Sequence, residues 1–141
     1  MAVPPRVNLL TLACRDVEQM AAFLRALGWP EAPSSDEHYA VFQLENGVVL
    51  ALWGAHNYVA GHGERAEGFR GFTLGLNVGS WEELEAAHEA FREVEGLEEL
   101  EDIQRADWGG GFTFRDPEGN LWEVAFAEGT TVAANGALTW F

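Results

Sequence analysis

The chain has 141 residues, 48% of them hydrophobic, and its 23 acidic against 8 basic residues give a formal net charge of -15. That apolar content excludes a disordered acidic chain, and the negative field disfavours nucleic acid phosphates and anionic membrane surfaces while favouring a cationic ligand or partner. The single cysteine, Cys14, excludes an intrachain disulfide.

A chain of this length suits one domain or two fused modules and buries roughly 68% of its extended surface without a staple. No apolar run approaches the roughly 18 residues that span a bilayer. Met1–Arg6 is too short for a secretory leader, so a cytoplasmic protein is expected.

Residues 1–53 read as a first module. Val7–Cys14 is a half-covered strand, with Leu10, Leu12 and Cys14 on one face and Leu9, Thr11 and Ala13 on the other. Asp16 caps a helix whose apolar positions Val17, Met20, Ala21, Leu24 and Leu27 recur at helical spacing. Gly28 ends it and Pro30 prevents its resumption. A short strand near Trp29–Ala32 and a loop over Ser34–Glu37 follow. His38–Glu45 and Gly47–Trp53 then form a hairpin across Asn46-Gly47.

Residues 54–71 read as a linker or flap containing His56, Tyr58, Gly61, His62 and Gly63. Residues 72–127 then repeat the first pattern. Phe72–Gly79 is a strand with Thr73, Gly75 and Asn77 on one face and Leu74, Leu76 and Val78 on the other. Ser80 and Glu83 form a capping box for a helix with Leu84, Ala87, His88 and Phe91 inward, closed by Gly96. Ten of the 23 acids fall within Glu82–Asp102, as suits a solvated helix and its exit loop. One strand lies within Leu97–Trp108. Gly111–Arg115 and Asn120–Ala127 form the last hairpin around Asp116-Pro117-Glu118-Gly119. The tail, residues 128–141, ends in Leu138, Trp140 and Phe141 and is expected to pack on the domain or on a partner subunit.

The two copies are in register. Leu9 matches Thr73 and Asp16 matches Ser80 at an offset of 64, and Gly47 matches Gly119 at an offset of 72. The fold class expected is α+β, two βαβββ modules forming a curved, cup-shaped mixed sheet with helices outside.

This organisation resembles the vicinal oxygen chelate superfamily, which includes the glyoxalases, bleomycin resistance proteins and extradiol dioxygenases. The resemblance is carried by Leu9–Asp16, by the helix Met20–Gly28, and above all by Phe114-Arg115-Asp116-Pro117-Glu118-Gly119-Asn120-Leu121-Trp122-Glu123-Val124. In metal-using members each module supplies one ligand from its first strand and one from its last. Carried over by position, those places hold Leu9, Ala51, Thr73 and Glu123. Leu9 and Ala51 have no ligating atom, Thr73 offers a neutral hydroxyl, and Glu123 alone is an apt ligand. The resemblance therefore implies a divergent member with no metal and no other cofactor. The open point is whether His56 or His62, joined by His38 or His88, rebuilds a metal site around Glu123.

Strand alternation gives an inward set of Leu9, Thr11, Ala13, Val49, Ala51, Trp53, Thr73, Gly75, Asn77, Leu121, Glu123 and Ala125. Small residues leave space, Trp53 and Leu121 supply apolar wall, and Thr11, Thr73, Asn77 and Glu123 supply directional polar atoms. Trp108 is a further stacking candidate, whereas Trp122 points away from Glu123 into the core. The candidate ligand-binding residues are thus Thr11, Trp53, Thr73, Asn77, Trp108, Leu121 and Glu123, with Glu123 also the candidate catalytic base. Its structural alternative is a hydrogen bond to Thr73 or to backbone amides.

Three readings follow. The first is a metal-independent small-molecule binding protein of the glyoxalase/bleomycin-resistance type, with an apolar, aromatic or cationic ligand in the cup near Glu123. The second is a glyoxalase-like lyase or isomerase, or a dioxygenase-related enzyme, using Glu123 as base or as ligand of a rebuilt metal site. The third is an interaction protein with a filled cup. A homodimer is expected in each case.

Overall fold

A computed structural model describes residues 3, 5–62 and 70–140. The chain forms two compact units, Met1–Arg65 and Ala66–Phe141, and the repeat read from the sequence is present in both.

Unit one runs β1 (Leu9–Cys14), α1 (Val17–Ala26), β2 (Tyr39–Gln43), β3 (Val49–Gly54) and α2 (Ala55–His62). Asp16 caps α1, its carboxylate accepting the Gln19 N–H at 2.9 Å. The helix buries Val17, Met20, Ala21, Phe23 and Leu24 against Leu12, Cys14, Ala40, Phe42, Leu50 and Leu52 of the sheet. At the other end, Arg25 pairs with Glu18 and Glu31. The short strand expected near Trp29–Ala32 reduces to one bridge between Glu31 and Phe42. Asp36 accepts the N–H groups of His38 and Tyr39 at 2.8 and 2.9 Å, and so fixes the start of β2. These bonds hold its carboxyl below its ordinary pKa.

Unit two runs β4 (Leu74–Asn77), α3 (Trp81–Phe91), β5 (Gln104–Ala106), β6 (Gly109–Arg115) and β7 (Leu121–Ala127), then a tail hairpin of β8 (Thr131–Val132) and β9 (Leu138–Thr139). Ser80 Oγ accepts the Glu83 N–H at 3.1 Å, while the Glu83 carboxylate accepts the N–H of Gly79 at 2.7 Å, one residue earlier than a standard capping box. Leu84 and His88 are buried, and His88 Nε2 donates to the Glu101 carbonyl at 2.9 Å. A ring stack runs through the core: Phe91 lies 4.8 Å from Phe114, which lies 5.9 Å from Trp122. The helix stops at Phe91 rather than near Gly96, which serves a separate turn at φ 89°.

The strands do not form one curved, cup-shaped mixed sheet. Among the described residues they form three separate sheets ordered β1-β3-β2, β4-β7-β6-β5 and β8-β9, none closed or strongly curled. Closure requires many strands with matched tilt and stagger, and sheets of three and four strands twist without meeting that condition. What survives is the βαβββ-like pattern of each unit. β1 and β3 are parallel with Thr11 beside Ala51, and β4 and β7 are parallel with Gly75 beside Glu123. Those two pairs are related by the sequence offsets of 64 and 72.

The β6–β7 turn is organised by one side chain. Asp116, 1% exposed, accepts the backbone N–H groups of Glu118 and Asn120 at 2.9 and 3.0 Å through one oxygen. Its other oxygen accepts Asn120 Nδ2 at 2.9 Å and Trp122 Nε1 at 2.8 Å. Gly119 takes the positive φ of 81° that the turn demands. Arg70 donates to the Asn120 side chain at 2.6 Å and to the Glu118 carbonyl at 3.1 Å. Replacing Asp116 by Asn sets an amide against two donors, and replacing it by Ala leaves buried donors unpaired. Each substitution is expected to cost unit two about 3 kcal/mol or more, measured by urea unfolding.

Candidate ligand-binding site

β7 alternates. Trp122 and Val124 are buried toward α3, whereas Glu123 points to the opposite face and is exposed. The Trp122–Asp116 bond locks this register, since a one-residue slip would bury the carboxylate and expel the indole.

On that opposite face, Glu123 lies between Gly75 of β4 and Thr113 of β6. The next row holds Asn77, Ala125 and Gly111. Leu121 and Arg115 form the preceding row, where Arg115 donates to the Gly119 carbonyl at 3.0 Å and to Glu99 at 3.1 Å. Thr73 is exposed and just precedes β4. Among the described residues, no hydrogen bond or ion pair holds the Glu123 carboxylate, so the bond to Thr73 or to backbone amides is not formed. Asn77, Leu121 and Glu123 therefore share one face, with Thr73 at its margin. Trp108 does not join them. It sits 53% exposed in the β5–β6 turn, beside the Gly109–Ala127 row, four residues or roughly 13 Å along β7 from Glu123.

In unit one, the face turned away from α1 carries Thr11, Ala51 and Val41 in one row and Ala13, Trp53 and Tyr39 in the next. Trp53 meets Tyr39 edge-on at 6.3 Å and Tyr58 of α2 edge-on at 6.0 Å. Neither Tyr39 nor Tyr58 is among the ligand-binding candidates read from the sequence, where Tyr58 belongs to the linker or flap. Tyr39 was legible from the period of β2 opposite Trp53. Tyr58 was hidden because the helix Ala55–His62 lies in a segment read as linker or flap. The rest of that segment, 63–69, lies outside the described residues, as does the side chain of His62.

The donor set does not fit a divalent metal. Leu9 and Ala51 carry no donor, Thr73 is an exposed neutral hydroxyl, and Glu123 contributes one carboxylate. Of the histidines, His38 is exposed beside Glu37, His56 is exposed on α2, and His88 is spent on the Glu101 carbonyl. Among the described residues, no group of three or more His, Cys, Asp or Glu is placed to hold a metal ion.

The hairpin of β6 and β7, the parallel pairing of first and last strand in each unit, and the repeat itself define the class. The Glyoxalase/Bleomycin resistance protein/Dioxygenase superfamily profile matches residues 6–124, and the chain belongs to this superfamily. Among the described residues it has no intact metal-binding site. Among solved structures, it is similar to a glyoxalase-related enzyme from Fulvimarina pelagi, at 26% identity and a TM-score of 0.81, over 96% of this chain and 97% of that one. A glyoxalase/bleomycin resistance protein/dioxygenase from Nocardioides aligns at 24% identity and a TM-score of 0.74, covering 94% and 91%. Lactoylglutathione lyase from Agrobacterium tumefaciens aligns at 18% identity and a TM-score of 0.69, covering 88% and 95%, which shows a shared fold. No curated protein matches the chain. No helix among the described residues is long and apolar enough to cross a membrane.

Because a divalent ion needs three or four protein donors, the protein incubated with zinc or nickel and then dialysed is expected to retain fewer than about 0.1 ion per chain. Elemental analysis by plasma mass spectrometry reads this directly. A stoichiometric ion would show that donors beyond those described complete a site.

Proposed function

We propose that this protein binds a small organic ligand without a metal, holding an apolar or aromatic body and a cationic group, with the cation against Glu123. One observation carries the reading: an exposed carboxylate with no partner among the described residues, set among small neighbours on a sheet face. A partnerless carboxylate in a chain of net charge -15 attracts cations and repels anions. Thr73, Asn77 and Leu121 border the position and supply two polar contacts and one apolar one. Independently of that position, Thr11 and Trp53, with Tyr39 and Tyr58, form an aromatic face within unit one that suits flat or cationic groups on its own.

The Fulvimarina pelagi relative is described as an enzyme. Metal-dependent chemistry is not proposed for this chain, because the donor set among the described residues does not fit a divalent ion. The same reading includes a homodimer. Leu9 is 51% exposed on β1, an edge strand of its sheet, and Trp140 is 64% exposed. Light scattering coupled to size exclusion measures this, and a monomer at micromolar concentration overturns that part.

The test of the ligand site uses benzyltrimethylammonium and benzylammonium as probes, titrated by calorimetry at low salt. Glu123→Gln is expected to weaken both at least about tenfold. Its unfolding free energy is expected to stay within about 0.5 kcal/mol of wild type, since the side chain is exposed and bonded to nothing described. Affinity unchanged by the substitution overturns the reading.

A further inference from the structure

Glycine in a strand interior usually has one of two causes, and Gly75 has neither. The first cause is a backbone conformation closed to other residues. Gly75 does not have one: its φ lies outside the positive region, unlike those of Gly47 and Gly119. The second cause is crowding. On β6, two strands away in the same sheet, a Cβ at Gly109 would lie 2.0 Å from the Phe126 carbonyl oxygen, at Gly110 2.7 Å from the Trp81 ring, and at Gly111 2.7 Å from the Val124 carbonyl oxygen. At Gly75 a Cβ would meet no atom of the described residues within 4 Å, the Glu123 side chain included.

A glycine that satisfies no internal requirement is a net cost to a strand, because it loses more chain entropy and packs nothing. The remaining reason for glycine in a strand is the close approach of something outside the fold. Gly75 is the direct cross-strand neighbour of Glu123 and shares its face. Its counterpart in unit one, by the offset of 64, is Thr11 beside Ala51, where a side chain is present and the carboxylate is not.

We infer that Gly75 is a specificity-determining position: the space over its Cα receives the head group of the organic cation that Glu123 holds, with Asn77, two residues along β4, at the margin of that space. This rests on the ligand site proposed at Glu123 and adds its shape. The carboxylate selects positive charge, and the missing side chain admits a head group as broad as a quaternary ammonium.

Gly75→Ala and Gly75→Val separate this from the parent reading. With the same two probes, Gly75→Val is expected to weaken benzyltrimethylammonium at least about tenfold and benzylammonium no more than about threefold, with Gly75→Ala between it and wild type. Both variants are expected to melt a few degrees above wild type, since an ordinary strand conformation gains from a side chain. Unchanged affinities in the Gly75 variants, with Glu123→Gln still weakening both probes, overturn the inference and leave the charge site standing. An inert Glu123→Gln, or wild-type protein that binds neither probe, overturns both. A lowered melting temperature in Gly75→Ala shows a structural reason for the glycine and also overturns it.

Discussion

The buried carboxylate of Asp116 is the constraint from which the site in unit two follows. Four donors converge on its two oxygens, two from the turn backbone, one from Asn120 and one from the Trp122 indole. A carboxylate taken out of water is costly unless its lone pairs are filled, and here the turn and the strand fill them together. The consequence is directional. With the indole tied to the turn, β7 has one register, and strand alternation then sends Glu123 to the face away from α3. The functional candidate is thus placed by a bond its own side chain does not make.

The duplication makes the two units a natural comparison. Their parallel pairs are equivalent, Thr11 with Ala51 and Gly75 with Glu123. In unit one the last-strand residue is a fully buried alanine, flanked by Thr11 and Val41. In unit two it is an exposed carboxylate next to an empty position. Unit one has turned its face over to apolar and aromatic packing, ending in the Tyr39–Trp53–Tyr58 array. Unit two keeps a charge on the corresponding face and has left room beside it.

Much of this was legible in the chain, and the pattern of what was not has physical causes. Local signals were dependable: Asp16 and Ser80 cap their helices, Leu12 and Cys14 bury on the face read for them, and Trp122 and Glu123 take opposite sides. The repeat offsets translated into matching strand pairs. Sheet curvature was not legible, because it depends on tilt and closure between strands distant in sequence, which periodicity does not encode. The helix at Ala55–His62 has little amphipathic contrast and follows β3 without a break, so nothing in its sequence marks it off from a linker. Trp108 was drawn toward the site by residue type, but the short β5–β6 turn carries it to the end of the sheet. The turn at Asp116–Gly119 was read for its proline and glycine, while the tie to Trp122 six residues on needed coordinates.

Charge and shape contribute differently to what such a face can select. The acids are concentrated in Glu82–Asp102, and at physiological salt a charge is screened within about 8 Å. Charge beyond that range acts on a ligand in the approach, raising encounter rates for cations of any shape. Discrimination has to come from groups in contact, and an exposed carboxylate alone treats ammonium groups of different breadth nearly alike. What separates them is whether the adjoining surface is open. Gly75 lies beside the carboxylate on β4 with Asn77 and Ala125 in the next row, and a Cβ at Gly75 would meet no described atom within 4 Å. On this account the fold is held by its turns and capping residues, while selectivity sits in one position whose side chain is absent.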